Sequence, residues 1–354
     1  MRSNPPPPNP KNTAADRNQL AAEKAKVDKT KVSGKSKALM NEPRAVTKET
    51  PGYGSGNYSL DLDEYELAGS QDLQQKLLSH FRSPQYKAPV LPNIALELTD
   101  LSKKQNVSYD DVVRVVEKDP MITASVLKLA QSPLYGGRPV QSLKDALNRL
   151  GIATLRDLVW QVVANMRLFR VRNYAPIMER LQLHATFTAY AARIIAQKAG
   201  IAAEHAFLCG LLHDIGWSGT LLAISENNSK PPDPKTLFAA IDKMHVEAGD
   251  AMARLWGLSQ EISTVIGHHH RLDKQRKPAS VLVPVLCVAE HLADDLGFGI
   301  EIKPEDGTLR KDRIDANLDG RFENAVSILK LESKLDAIRE AAVEAGQRIR
   351  KVEA

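Results

Sequence analysis

The chain has 354 residues and a formal net charge of +5; 43% of its residues are hydrophobic and 26% are charged. This composition is typical of a soluble globular protein, and the apolar runs fall short of the ~18 residues that predict a membrane span. The two cysteines exclude a disulfide framework, and no secretory signal is visible, so a cytoplasmic protein is predicted.

The basic charge is confined to the N-terminal tail, residues 1–58. This tail carries a net charge of +6, contains the proline run Pro5–Pro8, and lacks Ile, Phe and Trp. Such a segment buries too little apolar surface to offset the entropy lost on ordering, so it is predicted to be disordered. The remainder carries a net charge of −1. Nucleic-acid binding is therefore expected only through the tail, if at all, and no membrane partner is expected.

From about Ser70 the pattern becomes helical, and alternating strand patterns are absent. An all-α fold of roughly a dozen helices is predicted, with a looser segment at about 298–318. Helix starts are predicted at the Ser108/Asp111 capping box, at Asp119-Pro120 and at Ser142. Helix ends are predicted at Gly151, Gly200 and Gly216.

Several ionisable residues fall on the apolar faces of these predicted helices. His184 lies in a continuous seam of apolar side chains at alternating spacings of four and three, and His245 lies in another. His269 and Glu290 stand three or four residues from apolar neighbours. The pair His213-Asp214 directly follows the almost wholly apolar run AFLCGLL. We therefore expect five separate helices to direct ionisable groups inward.

A single histidine on such a face is usually a core residue that is satisfied by hydrogen bonds. Burying five polar groups without partners would cost several kcal/mol each, whereas one shared metal centre would remove that cost for all of them. An Asp carboxylate next to a His ligand can bridge two ions, and two ions can activate water against a phosphate. The pattern predicts one to three divalent transition-metal ions, with Fe, Mn and Zn all suited to such ligands.

The order of these residues resembles the HD superfamily of metal-dependent phosphohydrolases. The segments APVLPNIALELTDLS, EKDPMITASVLKLAQSPLYGG, SLKDALNRLG, FLCGLLHDIG and HVEAGDAMARLWGLSQEI resemble an HDOD domain over about residues 70–300. This resemblance implies an all-α fold, a bacterial signalling role, and a metal-binding half at about 175–297. The metal ligands that it implies are His184, His213, Asp214, His245, His269, His270 and Glu290.

The sequence departs from the related patterns at several positions. Glu290 stands where the HD pattern has aspartate, and Asp294, one turn later, is a substitute candidate. The run of three histidines leaves the register open, so that His268 could replace His270. The related HD-GYP phosphodiesterases have lysine after HDIG, where this chain has Trp217, and their GYP motif is absent. Hydrolysis of cyclic di-GMP is therefore not expected.

Residues 320–354 are predicted to form a C-terminal amphipathic helix. Its apolar seam runs over Ile328, Leu331, Leu335, Ile338, Ala342, Ala345 and Ile349, at heptad spacing. Three heptads make a weak isolated coiled coil, so docking on the chain's own fold is favoured. A helix that forms a homodimer or binds a partner is the alternative.

Three functions from different classes are consistent with the sequence. The first is an HDOD signalling module that binds metal and, as a possible ligand, a nucleotide, and that acts chiefly through contacts with other signalling proteins. The second is an active phosphohydrolase or phosphodiesterase, with His213 and Asp214 as catalytic residues. The third is a scaffold for protein interactions, in which the histidines only hydrogen-bond to one another.

Overall fold

The computed structural model describes residues 64–102, 107–201, 205–227, 231–272, 277–300 and 320–353. These residues are mostly helical and include no strand, so the all-α prediction is confirmed for this part of the chain. The tail predicted to be disordered, 1–58, lies outside the described residues. So do residues 301–318 of the segment predicted to be loose.

The helices of the N-terminal half begin where the capping signals predicted. Ser108 and Asp111 form a reciprocal capping box, and the Asp119 carboxylate caps a helix whose first residue is Pro120. The hydroxyl of Ser142 caps the next helix. The five helices are α1 (Glu64–Arg82), α2 (Asn93–Ser102), α3 (Tyr109–Val116), α4 (Pro120–Ala130) and α5 (Leu143–Val163).

Two of the predicted glycine breaks are confirmed by their backbone angles. Gly151 interrupts α5 with a φ of 79°, and Gly200 follows the long helix after α5 with a φ of 71°. Both angles lie in the region that strongly favours glycine over residues with a Cβ atom. The two positions therefore separate helices that the hydrophobic pattern alone would join.

The C-terminal half surrounds a short helix that is buried on every side. The helices here are α6 (Ala175–Ala199), α7 (Ala206–Leu212), α8 (Ile215–Asn227), α9 (Pro234–Leu255), α10 (Gln260–Ile266) and α11 (Leu282–Asp295). The short central helix is α7; all seven of its residues are buried, and it packs against α6. α8 packs against α9, and α11 packs against α6.

Gly216 does not end a helix, and that prediction was wrong. α7 ends at Leu212, and Gly216 lies in the first turn of α8. A Cβ atom at this position would overlap the backbone carbonyl of His245 and lie 2.7 Å from the backbone nitrogen of Gly249. The glycine is needed because α8 and α9 cross here in backbone contact.

The C-terminal segment forms two helices where one was predicted, α12 (Arg321–Leu329) and α13 (Leu335–Glu353). Lys330, with a φ of 54°, turns the chain between them, and this turn brings Leu331 into the core. Ile338, Ala342 and Ile349 are also buried, and α13 packs against α6. Most of the apolar seam therefore docks on the chain's own fold.

Within the described residues, one stretch is long and apolar enough to cross a membrane. It covers Ala206–Glu226, but 94% of its most apolar window is buried inside the fold. Such burial is typical of core helices, and here the stretch comprises the buried α7 and most of α8.

Candidate metal centre

The fold brings all seven predicted ligand residues together. Six of them are buried, with Glu290 slightly more exposed. They come from most of the helices of the C-terminal half: His184 from α6, His213 and Asp214 from the link between α7 and α8, His245 from α9, His269 and His270 from the turn after α10, and Glu290 from α11.

Asp214 lies at the centre of this group, and its two carboxylate oxygens face different histidines. Oδ2 is 3.6 Å from Nε2 of His184 and 3.3 Å from Nε2 of His213. Oδ1 is 3.5 Å from Nε2 of His245 and 3.3 Å from Nε2 of His269. One carboxylate is therefore shared between two groups of histidines, in the arrangement that a carboxylate bridging two ions requires.

Hydrogen bonds to backbone carbonyls orient four of the five candidate ligand imidazoles. In each ring Nδ1 lies within hydrogen-bonding distance of a carbonyl oxygen, which can only accept. Nδ1 must therefore carry the proton, and in the neutral ring Nε2 keeps a free lone pair. The bonds run from His184 to Phe298 (3.0 Å), from His213 to Gly210 (2.8 Å), from His245 to Ile241 (3.3 Å) and from His269 to Ile266 (2.7 Å).

The Nε2 atoms of these candidate ligand rings lie in close pairs. Nε2 of His184 is 3.1 Å from Nε2 of His213, and Nε2 of His245 is 3.0 Å from Nε2 of His270. Oδ1 of Asp214 and Nε2 of His269 are buried and have no hydrogen-bond partner among the described residues. Two nitrogens bound at about 2.1 Å to one ion are about 3.0–3.4 Å apart. The donor set therefore fits metal ions.

The candidate ligand atoms form two groups that share Asp214. One group contains Asp214, His245, His269 and His270, and the other contains His184, His213 and Asp214. Glu290 belongs to neither group, although its oxygens lie 3.6 Å from His213 and 3.9–4.0 Å from His270 and His269. The glutamate is therefore placed at the edge of the cluster.

The two substitute candidates do not enter either group. His268 is absent from both groups of ligand atoms, and its Nδ1 donates to the carbonyl oxygen of Thr264 at 2.9 Å, so the described geometry favours His269 and His270 as the pair. Asp294 lines the adjoining cavity, outside the two groups of ligand atoms. His205, which also lies outside both groups, has its Nδ1 2.9 Å from a carboxylate oxygen of Glu261 near the surface.

The pair His213 and Asp214 behaves as a buried ion pair. Burial alone would lower the pKa of His213, but the negative charges of Asp214 and Glu290 raise it to about 9. Burial alone would raise the pKa of Asp214, but His213, with His269 and His245, holds it well below its usual value. The central carboxylate is therefore ionised and available as a ligand at neutral pH.

Three other histidines are held in the neutral form. Burial lowers the pKa of His184 and of His245 to about 4, and it lowers that of His270 well below 6.5. Burial also raises the pKa of Glu290, against the opposing effect of the nearby histidines. Neutral imidazoles are the form that binds metal, so these rings need no deprotonation before binding.

The metal-free protein is expected to be most stable near pH 6.5. His184 and His245 stay neutral in the fold down to about pH 4, whereas unfolded histidines take up protons below about 6.5, so stability falls as pH decreases through that interval. The contribution of His213 is complete below about pH 6.5 and is lost as pH rises through 9. Across its own pH interval, each of these three histidines changes the free energy of unfolding by on the order of 3 kcal/mol.

Urea unfolding of the chelator-treated protein at pH 5, 6.5 and 8.5 measures this dependence. His184→Gln should flatten the acidic side of the profile, and His205→Gln, at the surface pair with Glu261, should leave it unchanged. A free energy of unfolding that rises steadily from pH 5 to 8.5 would contradict the assignment.

Sequence reasoning missed the segment that orients His184. The carbonyl of Phe298 accepts the Nδ1 proton of His184, and the ring of Phe298 stacks on Phe187 with centroids 4.2 Å apart. Arg180 donates to the carbonyl oxygens on either side, those of Gly297 and Gly299. Arg350 of α13 lies 4.6 Å over the Phe298 ring. No local pattern signals this support, because the contacts join residues that are far apart in the chain.

A cavity of about 50 Å³ adjoins the cluster. Trp217, the residue that follows HDIG, lines it, and its ring centroid lies 5.8 Å from that of His245. Arg321 and Phe322 were not predicted from the sequence, although a cation at the first position of a helix is a usable signal, since the helix dipole disfavours it. The other lining residues are His184, Asp214, His270, Cys287, Glu290, His291, Asp294 and Ile300.

Comparison with known proteins identifies the domain. The HDOD domain model matches residues 88–272. An uncharacterized protein of Treponema pallidum (strain Nichols) is 26% identical over 215 residues, which are 57% of this chain and 41% of that protein. Ribonuclease Y of Thermus thermophilus is 33% identical over 100 residues, which are 28% of this chain and 14% of the enzyme. The chain thus spans less than half of the length of either relative.

Two solved structures share the fold. An HDOD domain protein with unknown function from Geobacter sulfurreducens aligns with a TM-score of 0.52 at 23% identity, covering 79% of this chain and 99% of its own. A proposed metal-dependent phosphohydrolase from Shewanella amazonensis aligns with a TM-score of 0.60 at 20% identity, covering 80% and 99%. At these identities the likeness establishes the fold alone. Since the family model matches more than half of its residues, the chain belongs to the HDOD domain family.

Proposed function

We propose that this chain is a cytoplasmic bacterial regulatory protein whose HDOD domain binds two divalent transition-metal ions. The observation that carries this proposal is the position of Asp214, whose oxygens face two separate groups of histidines. Iron, manganese and zinc all accept such mixed imidazole and carboxylate ligands. The output of the protein is contact with other signalling proteins, and a homodimer is one form that such contact can take.

Each group of residues has a distinct part in this account. His184 and His213 would hold one ion together with Asp214, and His245, His269 and His270 would hold the other together with the same carboxylate. The backbone carbonyls that accept the Nδ1 protons keep four of the rings aimed inward, which lowers the entropy lost on binding. Glu290, at the edge of the cluster, accepts protons or completes the ligand set.

Thermal unfolding of the chelator-treated protein with and without Mn²⁺ tests the proposal. An ion at 100 times its Kd should stabilise the fold by about 2.7 kcal/mol, and His245→Gln should lose most of this gain. His205→Gln is the matched control, since His205 lies at the surface and outside both groups. Equal melting temperatures with and without Mn²⁺, Fe²⁺ and Zn²⁺ would contradict the proposal and favour the scaffold function.

A second function, phosphohydrolase, is favoured by the cavity beside the cluster. His184, Asp214, His270 and Glu290 line it, so a ligand can reach the centre directly. When bound, paired metal ions lower the pKa of water and neutralise charge on phosphate oxygens. His213 and Asp214 are the catalytic candidates in this account, and the similarity to ribonuclease Y supports a phosphodiester as the first substrate class to test.

Hydrolysis of bis(p-nitrophenyl) phosphate by the Mn²⁺-loaded protein separates the two functions. An enzyme should turn over this phosphodiester, and His213→Gln should abolish the turnover while the protein stays folded. Full metal loading without turnover of this or any nucleotide substrate would leave the regulatory function alone. Cyclic di-GMP is not the expected substrate, because Trp217 stands in the place of the lysine found in the related phosphodiesterases.

A further inference from the structure

The helix α12, the first of the two C-terminal helices, forms one wall of the cavity, although it lies outside the segment that matches the family model. Arg321 and Phe322, its first two residues, both line the cavity. Phe322 stacks on His291 of α11, with ring centroids 3.9 Å apart and an angle of 25° between the planes. This contact fixes the start of α12 beside the cluster.

Arg321 is directly adjacent to the candidate metal ligands. Its Nη1 donates to the carbonyl oxygen of His270 at 3.5 Å. Burial dominates the pKa shifts of His270 and Glu290, and the charge of Arg321 also contributes to both. A cation in the first turn is unfavourable for the helix itself by about 0.3–1 kcal/mol, so local helix stability does not account for an arginine at this position.

The charge of the cavity suits an anion once metal is bound. Among the described lining residues, Asp214, Glu290 and Asp294 are acidic, and Arg321 is the one lysine or arginine. With neutral histidines these groups give a net charge of −2, and two divalent ions would change it to +2. A doubly negative phosphate would then balance the site, with the guanidinium opposite the ions.

The size of the cavity also fits a phosphoryl group. Its volume of about 50 Å³ holds roughly three to five water molecules, at about 10–15 Å³ each. A phosphate has five heavy atoms and so requires comparable space. Guanidinium binds phosphate oxygens in pairs, through two parallel N–H donors.

We propose that Arg321 binds the phosphoryl group of a phosphate ester in this cavity, opposite the metal centre. The inference rests on the proposed metal site and holds for a sensed ligand as well as for a substrate. Arg321 is then a specificity-determining residue contributed by α12, and this helix completes a binding site that the family-matched segment only begins.

Calorimetric titration of inorganic phosphate into the Mn²⁺-loaded full chain tests this inference. Arg321→Gln should weaken phosphate binding at least tenfold while metal content stays at the wild-type value. Arg321→Lys, which keeps the charge but loses the paired donors, should have a phosphate affinity between those of the wild type and Arg321→Gln. Arg348→Gln, at an exposed ion pair with Glu344, is the matched control and should bind as the wild type does. A parallel titration with 5′-AMP distinguishes a nucleotide ligand from free phosphate. Tighter binding of 5′-AMP would indicate a nucleotide, and tighter binding of inorganic phosphate would indicate free phosphate.

Two results would overturn the inference, and they are distinguishable from failure of the metal site. Wild-type protein that holds metal but no phosphate would refute the phosphate site alone. Arg321→Gln and Arg321→Lys proteins that bind both metal and phosphate as the wild type does would show that the ions alone hold the anion. A wild-type protein without metal would instead refute the proposed function, and the inference with it.

Discussion

Replacing Asp214 by Asn is expected to abolish metal binding at both groups of histidines. The amide has nearly the same shape as the carboxylate, but it removes the negative charge and one of the two oxygens that face the histidines. Since both groups of candidate ligands share this side chain, neither is left intact. We expect at least a 100-fold loss of affinity, because direct ligands matter more than the outer hydrogen bonds whose loss costs 10–100-fold. Elemental analysis after reconstitution and gel filtration measures the outcome.

Asp294→Asn is the matched control for this change. Asp294 lines the same cavity but lies outside both groups of ligand atoms, so its variant should keep the full metal content. Retention of metal by Asp214→Asn, or equal losses in the two variants, would contradict the placement of Asp214 between the ions.

Gly216→Ala is expected to be among the most destabilising single substitutions in the chain. The added methyl group would overlap the His245 carbonyl and crowd the backbone of Gly249, and backbone atoms cannot yield as a flexible side chain can. Separating α8 from α9 should cost about 3 kcal/mol or more and should also displace Asp214 from His245. Urea unfolding of the metal-free variant measures the first effect, and Mn²⁺ affinity measures the second.

A second glycine provides the control for this substitution. Gly69 lies in α1, and a Cβ atom there would meet only the Thr236 side chain, at 3.5 Å or more. Gly69→Ala should therefore stabilise the protein by about 0.5–1 kcal/mol through helix propensity. If the free energy of unfolding of Gly216→Ala is within about 1 kcal/mol of the wild-type value, the described crossing of α8 and α9 is incorrect.

Local sequence signals were sufficient for much of the fold. Ser108, Asp119 and Ser142 each cap a helix at the predicted place, because capping depends on residues only two or three positions apart. The seam through His184 likewise placed this residue on a buried face. The helix end predicted at Gly216 was wrong, because a glycine can mark either a helix end or a close backbone contact. Only the tertiary structure distinguishes the two roles.

The site was predictable as a set of residues but not as a geometry. Periodicity and the HDOD resemblance identified the histidines and Asp214, while the division into two groups around one carboxylate appears only in three dimensions. Phe298 and Arg321 were missed for a related reason. Phe298 acts through its backbone carbonyl, which carries no sequence signature, and Arg321 reaches the cavity from more than 100 residues beyond His213.

A crystal structure of the Mn²⁺-reconstituted protein, with anomalous data, would show directly whether Asp214 lies between two ions. Two anomalous peaks are expected, one on each side of Asp214. The first should lie between Oδ2, His184 and His213, and the second between Oδ1 and the histidines of the other group. A fully reconstituted crystal with no peak at Asp214, or with peaks only elsewhere on the protein, would contradict a two-ion centre.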